Sequence, residues 1–460
     1  MKKQVIIYTL CATALVSSCH IYKPYSRPEI ETKGLYRDPV SVNDTLPSDT
    51  TNMANLPWEQ VFTDPQLQSL IRLGLEKNSD LQTAILRVKE AEASLMSSRL
   101  AYAPSLGLSP QGNISSFDKM AATFSYSLPV VASWEVDLFG RLLNSKRAAK
   151  ATLIQSEDYR QAVQTQVIAS IANCYYTLLM LDKQLSITEE TAILWQKNVA
   201  TMKSMKEAGM VNEAAVVQSE ANSYMIAASI PDIKNNIRTN ENTLSLLLHK
   251  APQAISRGKL DNQNLPSLLN AGIPVQLLSH RPDVKAAEMA LAKTFYNTNQ
   301  ARSAFYPQLT INGSLGWTNQ AGSMILNPGK LIASAVGSLT QPLFNRGVNI
   351  ARLKIAKAQQ EEALLGFEQS LLNAGSEVSN ALNLYQTAQD KLIERQKQIN
   401  SLEKSVDYTQ QLLTLGTSTY LEVLTAQQSL LSAQISGISD QFQRIRAIVN
   451  LYHALGGGVQ

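Results

Sequence analysis

The side chains able to do chemistry in this 460-residue chain are few and scattered. Three cysteines, Cys11, Cys19 and Cys174, cannot build a disulfide framework. The four histidines form no HExxH pattern and the cysteines no CxxC, so no metal site is expected. Cys174 lies in an apolar run of helical period, where a thiol packs as a small apolar group. No nucleophile, base and orienting group recur at a recognisable spacing, so catalysis is not expected. Met202, Met205 and Met210 are the remaining soft donors and suggest soft-metal transport, but helix-core methionines are commoner. Lys and Arg number 41 against 37 Asp and Glu, and no basic patch interleaves with aromatics. Nucleic acid is therefore not an expected partner.

Cys19 is the exception, because of what precedes it. Lys2 and Lys3 open the chain, an apolar stretch runs from Val5 to Val16, and small residues follow. That is the layout of a secretory signal over 1–18, too short for a helix that must cross about 30 Å of hydrocarbon. Val16-Ser17-Ser18-Cys19 resembles a bacterial lipobox, which implies cleavage before Cys19 and a covalent lipid on its sulfur. An ordinary signal with an incidental cysteine is the other reading. His20 stands where Asp would signal inner-membrane retention, so outer-membrane sorting is expected.

The elements that must position anything else come in two copies. "RLAYAPSLGL" from Arg99 and "RSAFYPQLTI" from Arg302 align Arg, Pro and Leu, and "LFGR" at Leu138 aligns with "LFNR" at Leu343. A polar segment over 19–64 reads as a tether, ending where Asp64-Pro65 supplies an N-cap and first-turn proline. Helical period then continues to about Ala103. The first copy covers 65–250, with strands over about 104–138 and a helical hairpin over about 142–250. A linker over 251–282 follows. The second copy covers 283–460, with strands over about 307–344 and a hairpin over about 347–455. Each copy reads helix, hairpin, long helix, tip, returning helix.

The strands alternate. Phe124, Tyr126, Leu128, Val130, Ala132, Trp134, Val136 and Leu138 share one face, and Thr123, Ser125, Ser127, Ser133, Glu135 and Asp137 the other. In lipid this is the alternation of a barrel wall, apolar outward and polar toward a lumen; a soluble sandwich is the alternative. Two hairpins cannot close, and open edges cannot face hydrocarbon, so copies must associate. Two copies would fill the interior and three could leave a bore. The long helices carry seams at 4, 3, 4, 3, 4 spacing: Val167, Ile171, Cys174, Leu178, Leu181, Leu185 in one, and Ala374, Val378, Ala381, Tyr385, Ala388, Leu392 in the other. A tube of helices and a solid stalk share that pattern. Gly209 and Gly416 break the rods, and Pro231 is expected to kink the first return helix.

"GIPVQLLSHRPDVKAAE", "SWEVDLFGR", "ARSAFYPQLTINGSLGW", "QPLFNRG" and "YLEVLTAQQSLLSAQ" resemble the TolC-like outer-membrane efflux proteins, in particular their lipoprotein branch. The resemblance covers nearly the whole mature chain. It implies a mainly α fold with a membrane β-barrel portion: a homotrimer with a twelve-stranded barrel, an α-helical periplasmic barrel and an equatorial girdle. The implied location is the outer membrane, lipid-anchored and extending into the periplasm. The implied partners are a periplasmic adaptor and an inner-membrane pump, usually of the resistance-nodulation-division class.

By the same resemblance, Gly209, Met210, Val211, Gly416, Thr417 and Ser418 would meet the adaptor. The two glycines equally suit any helix break. Leu421, Glu422 and Thr425 match positions lining the periplasmic gate, where three Glu422 carboxylates would favour cations. Some relatives carry Asp where Thr425 stands, so a second acidic ring is missing. The implied function is an exit duct for drugs, toxic compounds or metal ions. The rivals are a protein-secretion duct fed by an ATP-driven transporter and a lipid-anchored scaffold without a bore.

Overall fold

A computed structural model describes residues 22–29, 56–116, 118, 120–263, 265, 281–319 and 330–458. Cys19, most of the tether, the stretch 266–280 and the loop 320–329 lie outside the described residues. The chain is mostly helical, and no helix among the described residues is long and apolar enough to cross a membrane.

The path opens with α1 (Trp58–Val61), α2 (Pro65–Lys77) and α3 (Ser79–Leu100). Asp64 caps α2 as its residue type predicts, its Oδ1 accepting from the Gln66 amide at 2.8 Å. The single helix expected from Asp64 to Ala103 is broken at Asn78. That side chain is buried. Its Oδ1 accepts from the amides of Asp80 (3.0 Å) and Leu81 (3.1 Å), and its Nδ2 donates to the Leu247 carbonyl at 2.9 Å. Asparagine offers the backbone hydrogen bonds that compete with a continuing helix.

The remaining elements follow the repeat closely. The first copy gives β1 (Ser105–Leu108), β2 (Gln111–Ser115), β3 (Thr123–Val136), α4 (Arg141–Glu207) and α5 (Glu213–Leu247). The second gives α6 (Pro282–Ser303), β4 (Gln308–Asn319), β5 (Lys330–Thr340), α7 (Val348–Thr414) and α8 (Tyr420–Ala454). Both outgoing helices have 67 residues and both returning ones 35. At 1.5 Å per residue the longer pair each reach about 100 Å. Pro231 sits inside α5 without ending it.

These elements fall into two compact units that interleave the repeats. One takes Met1–Ile30, Leu86–Asp158 and Lys285–Gln369; the other takes Glu31–Ile85, Tyr159–Val284 and Ser370–Gln460.

The first unit holds one antiparallel sheet in the order β1-β3-β4-β5, with β2 also beside β3. The first arm, expected as one strand, is two. Pro110 has no amide hydrogen to give the ladder, yet the register is kept across the gap, with Leu108 facing Val130 and Gln111 facing Ser127. The inner pairing puts Leu128 opposite Trp317, Val130 opposite Leu315 and Trp134 opposite Ile311. Ser127 faces Thr318 and Ser133 faces Asn312, whose Oδ1 accepts from the Ser133 hydroxyl at 2.8 Å. Period-2 alternation therefore makes one face of the whole sheet apolar and the other rich in hydroxyls and amides. Its apolar members Leu106, Phe124, Leu315 and Leu339 are exposed.

At Gly316 the backbone of β3 leaves no room for a side chain. A Cβ there would lie 2.3 Å from the Leu128 carbonyl oxygen and 2.4 Å from the Pro129 Cα, and backbone cannot step aside. Gly316→Val should cost about 3 kcal/mol and sharply lower the yield of folded protein. Gly337→Ala, with nothing within 4 Å of its added carbon, should be tolerated. Heat-modified mobility on gels compares the two.

Residues 22–29 lie along the same unit. The Tyr22 ring rests against Gly140, Tyr25 meets Phe295 edge to face at 5.7 Å, and Arg27 Nε donates to Glu288 at 2.9 Å.

The second unit holds the main core, in which Phe62, Ile71, Ile171, Leu178, Val378 and Val449 are buried together. Six of the twelve seam residues are in this core, with Cys174, Leu185 and Tyr385 partly buried against it. Burial pushes the Cys174 thiol up, which keeps it protonated and unreactive. Asp64 also receives hydrogen bonds from the Tyr175 hydroxyl (2.6 Å) and Gln263 (2.8 Å), and these outweigh burial to hold its carboxyl below the ordinary range.

Arg281 is the most buried charge here, its side chain 4% exposed. It forks onto Asp283 at 2.9 and 2.6 Å, bridges to Glu377 at 2.7 Å and donates to the Ala454 carbonyl at 3.0 Å. His453 lines the same cavity of about 450 Å³. Burial first, then the Arg281 charge, hold its imidazole below the usual range against the opposite pull of Glu377 and Asp283. The unfolded chain takes up this proton near pH 6.5 and the folded chain only at lower pH, so acidification favours unfolding. His453→Gln should flatten the loss of thermal stability between pH 7 and pH 5, read as the midpoint of helix melting at each pH.

Candidate functional site

The two helix tips lie in the second unit and close in the same way. α4 ends with Gly209 at φ 72° and α7 with Gly416 at φ 71°. The Gly209 amide donates to the Lys206 carbonyl and the Met210 amide to that of Met205, both at 2.9 Å. Gly416 to Leu413 and Thr417 to Leu412 repeat the pattern at 3.0 Å. Each is a Schellman turn, which satisfies the last carbonyls and needs a left-handed residue. No atom lies within 4 Å of a Cβ added to either glycine, so it is the φ angle that calls for glycine at both positions. Asn212 then caps α5, accepting from the Ala215 amide at 3.1 Å.

Beneath the turns is a small core containing Trp195, Met202, Val216, Tyr420 and Leu424, with Met205 and Val211 packed against it. Met202 is fully buried and Met205 half-buried, whereas Met210 is 70% exposed, so the three thioethers do not share one surface. A cavity of about 660 Å³ opens between the turns, lined by Met205, Met210, Asn212, Ser418, Tyr420 and Leu421 among others.

Leu421, Glu422 and Thr425 are all exposed and lie on one side of the first turns of α8, whereas Val423, Leu424, Ala426 and Gln427 are buried. Tyr420 decides that orientation. It is buried, with its hydroxyl 3.4 Å from that of Ser219 on α5. Gln427 adds a second tie by accepting from Asn198 on α4 at 2.8 Å. The Ser418 hydroxyl donates to Glu422, which holds that carboxylate over the N-terminus of α8, where negative charge is favoured. The Thr425 hydroxyl donates to the Leu421 carbonyl at 2.8 Å and so turns back onto its own helix.

Tyr420, Ser219 and Gln427 have no place in the sequence reading, although they set the direction in which Leu421, Glu422 and Thr425 face. An aromatic at the first helical position beside an exposed glutamate is the one local sign of such an anchor. Leu415, 74% exposed at the second tip, is likewise missed.

The sequence profile described as "Outer membrane efflux protein" matches residues 70–249 and 273–457. The chain is 30% identical over 457 residues to the cation efflux system protein CusC of Escherichia coli O6:H1, covering 98% of each. It is 28% identical over 472 residues to the toluene efflux pump outer membrane protein TtgC of Pseudomonas putida, covering 98% of this chain and 95% of the relative. A crystal structure of CusC superposes with a TM-score of 0.84 at 29% identity, covering 96% of this chain and all of the other. The two-copy profile match and these near full-length likenesses agree that this chain belongs to the outer membrane efflux protein family.

Proposed function

We propose that the protein is the outer-membrane exit duct of a three-part efflux system, working as a trimer whose three sheets close one barrel. The observation that carries this reading is the sheet itself. Its apolar face is exposed, its other face is mostly hydroxyls and amides with Val131, Ile332 and Val336 among them, and its outer strands β1 and β5 each have a free edge among the described strands. Such a sheet is stable in a bilayer only as part of a closed wall. Three copies supply a bore that two would fill.

A lipid on Cys19 fits the docking of Tyr22 against Gly140, since three residues of chain reach at most about 10 Å. The tips around Gly209 and Gly416, with Met210, Val211, Thr417 and Ser418, would receive a periplasmic adaptor, and the exposed row Leu421, Glu422 and Thr425 would narrow the mouth. The cargo would be small molecules delivered by an inner-membrane pump of the resistance-nodulation-division class. The named relatives carry out cation and toluene efflux, so membership alone leaves the choice of cargo to the pump.

A photoreactive amino acid at Ser418, cross-linked in the native cell, tests this. Recovery of an adaptor with a proton-driven pump is the expected result. An ATP-driven exporter in its place would make this a protein-secretion duct. Intact trimers with no adaptor would overturn the assignment of the tips.

A further inference from the structure

The internal duplication lets one contact inside the chain specify another that the chain cannot make alone. At the join between the copies, Phe139 of "LFGR" stacks on Tyr306, with ring centroids 5.0 Å apart and planes at 16°. In the second copy the matching residue of "LFNR" is Phe344. It and Leu343 are 86% and 94% exposed, among the most exposed large apolar side chains described. Tyr306 itself aligns with Ala103, which carries no ring, but Tyr102 aligns with Phe305, and Leu100 and Tyr102 stand beside Ala103 on the far side of the sheet. Leu100 is 61% exposed and Tyr102 37%. Each of these turns is fixed by its own copy in the same way. Trp134 Nε1 donates to the Tyr102 carbonyl at 2.9 Å, and Gln341 Nε2 to the Phe305 carbonyl at 2.8 Å. The chain therefore ends in an unfilled aromatic hook on one side and an unfilled apolar shelf on the other.

The strands give the same answer with a register. Ser133 of β3 faces Asn312 of β4 across the inner join. Ser133 lies five residues before Leu138, as Ser338 lies five before Leu343; Asn312 lies five after Pro307, as Ser109 lies five after Pro104. Carried to the outer edges, this places Ser338 opposite Ser109 and Leu339 opposite Leu108. Leu339 is paired with Leu309, and Leu108 with Val130, so both belong to the apolar face and that face continues unbroken across the new join.

We propose that Leu343 and Phe344 of one copy seat on the Leu100–Tyr102–Ala103 shelf of a second copy, with β5 paired to the β1 edge so that Ser338 faces Ser109. This rests on the assembly reading above and adds to it which residues make the join. Burying a Phe and a Leu side chain at each join supplies an apolar contact that strand hydrogen bonds do not, and it lies at the end of the strands where pairing would otherwise fray.

The full-length protein is used, extracted from outer membranes in mild detergent, with Cys174→Ser, Ser109→Cys and Ser338→Cys. Oxidation should yield covalently joined chains up to three on denaturing gels. Phe344→Asp in that background should reduce joined product at least tenfold, and Phe344→Leu should restore it. If native mass spectrometry shows intact trimers but neither this pair nor Gly107→Cys with Ser338→Cys joins, the strand pairing is overturned while the assembly stands. If Phe344→Asp cross-links as well as the parent, the hook is overturned. If the unsubstituted protein is a single chain by mass, the assembly reading itself fails, and this join with it.

Discussion

Replacing Glu422 by glutamine should abolish cation preference at the mouth without loss of assembled protein. In planar bilayers the cation-to-anion permeability ratio should fall by about tenfold, the effect of removing a ring of like charges that concentrates counter-ions in a narrow aqueous constriction. The argument is geometric. Glu422 is exposed beside Leu421 and Thr425, while the opposite side of the same turns is buried through Tyr420, Val423 and Leu424. It contributes nothing to that core, so its removal leaves the fold in place. Leu421→Ser should instead raise conductance with little change in selectivity, because it removes bulk and no charge. Thr425 donates its hydroxyl to its own helix and brings no charge, so Thr425→Asp should steepen cation preference by adding the second ring. A Glu422→Gln channel with unchanged selectivity would place Glu422 away from the pore.

Arg281→Ala should be the most damaging single substitution in the second unit, lowering stability by about 2–3 kcal/mol. A buried guanidinium is tolerated because its hydrogen bonds are made, and here they join three separate stretches of chain: Asp283, Glu377 and the Ala454 carbonyl. Asp283 and Glu377 are 44% and 48% exposed, so water takes over part of what the arginine supplied and the cost stays below that of a fully buried pair. Although burial alone would raise Asp283, the Arg281 hydrogen bonds and charge hold its carboxyl below the ordinary range. That stabilisation is present above the unfolded carboxylate pKa near 3.9 and is lost as pH falls through the lower folded value. The wild-type chain should therefore lose stability below about pH 4 more steeply than Arg281→Ala does. Helix melting followed at pH 7 and pH 3 separates the two effects. Arg281→Lys should recover little, because an ammonium cannot make the planar fork.

Much of this architecture is written locally. The doubled helix–hairpin–rod order, the cap at Asp64, the breaks at Gly209 and Gly416 and the two-faced strands each depend on a few neighbouring residues. Their propensity and period act over one or two turns, so the sequence alone determines them. The breaks at Asn78 and Pro110 were missed for different reasons. Pro110 is a local signal outvoted by a strong alternation on both sides. Asn78 is held by the Leu247 carbonyl, distant in sequence, and no window around it contains that partner. The start of α8 follows the same rule. Leu421, Glu422 and Thr425 can be picked out by residue type, but which side of α8 they face is set by Tyr420 against Ser219 and Gln427 against Asn198. The interleaving of the two copies into two packed units was likewise decided only in three dimensions. The strands show why: β3 of the first copy pairs with β4 of the second along eleven residues, a contact that no local window contains.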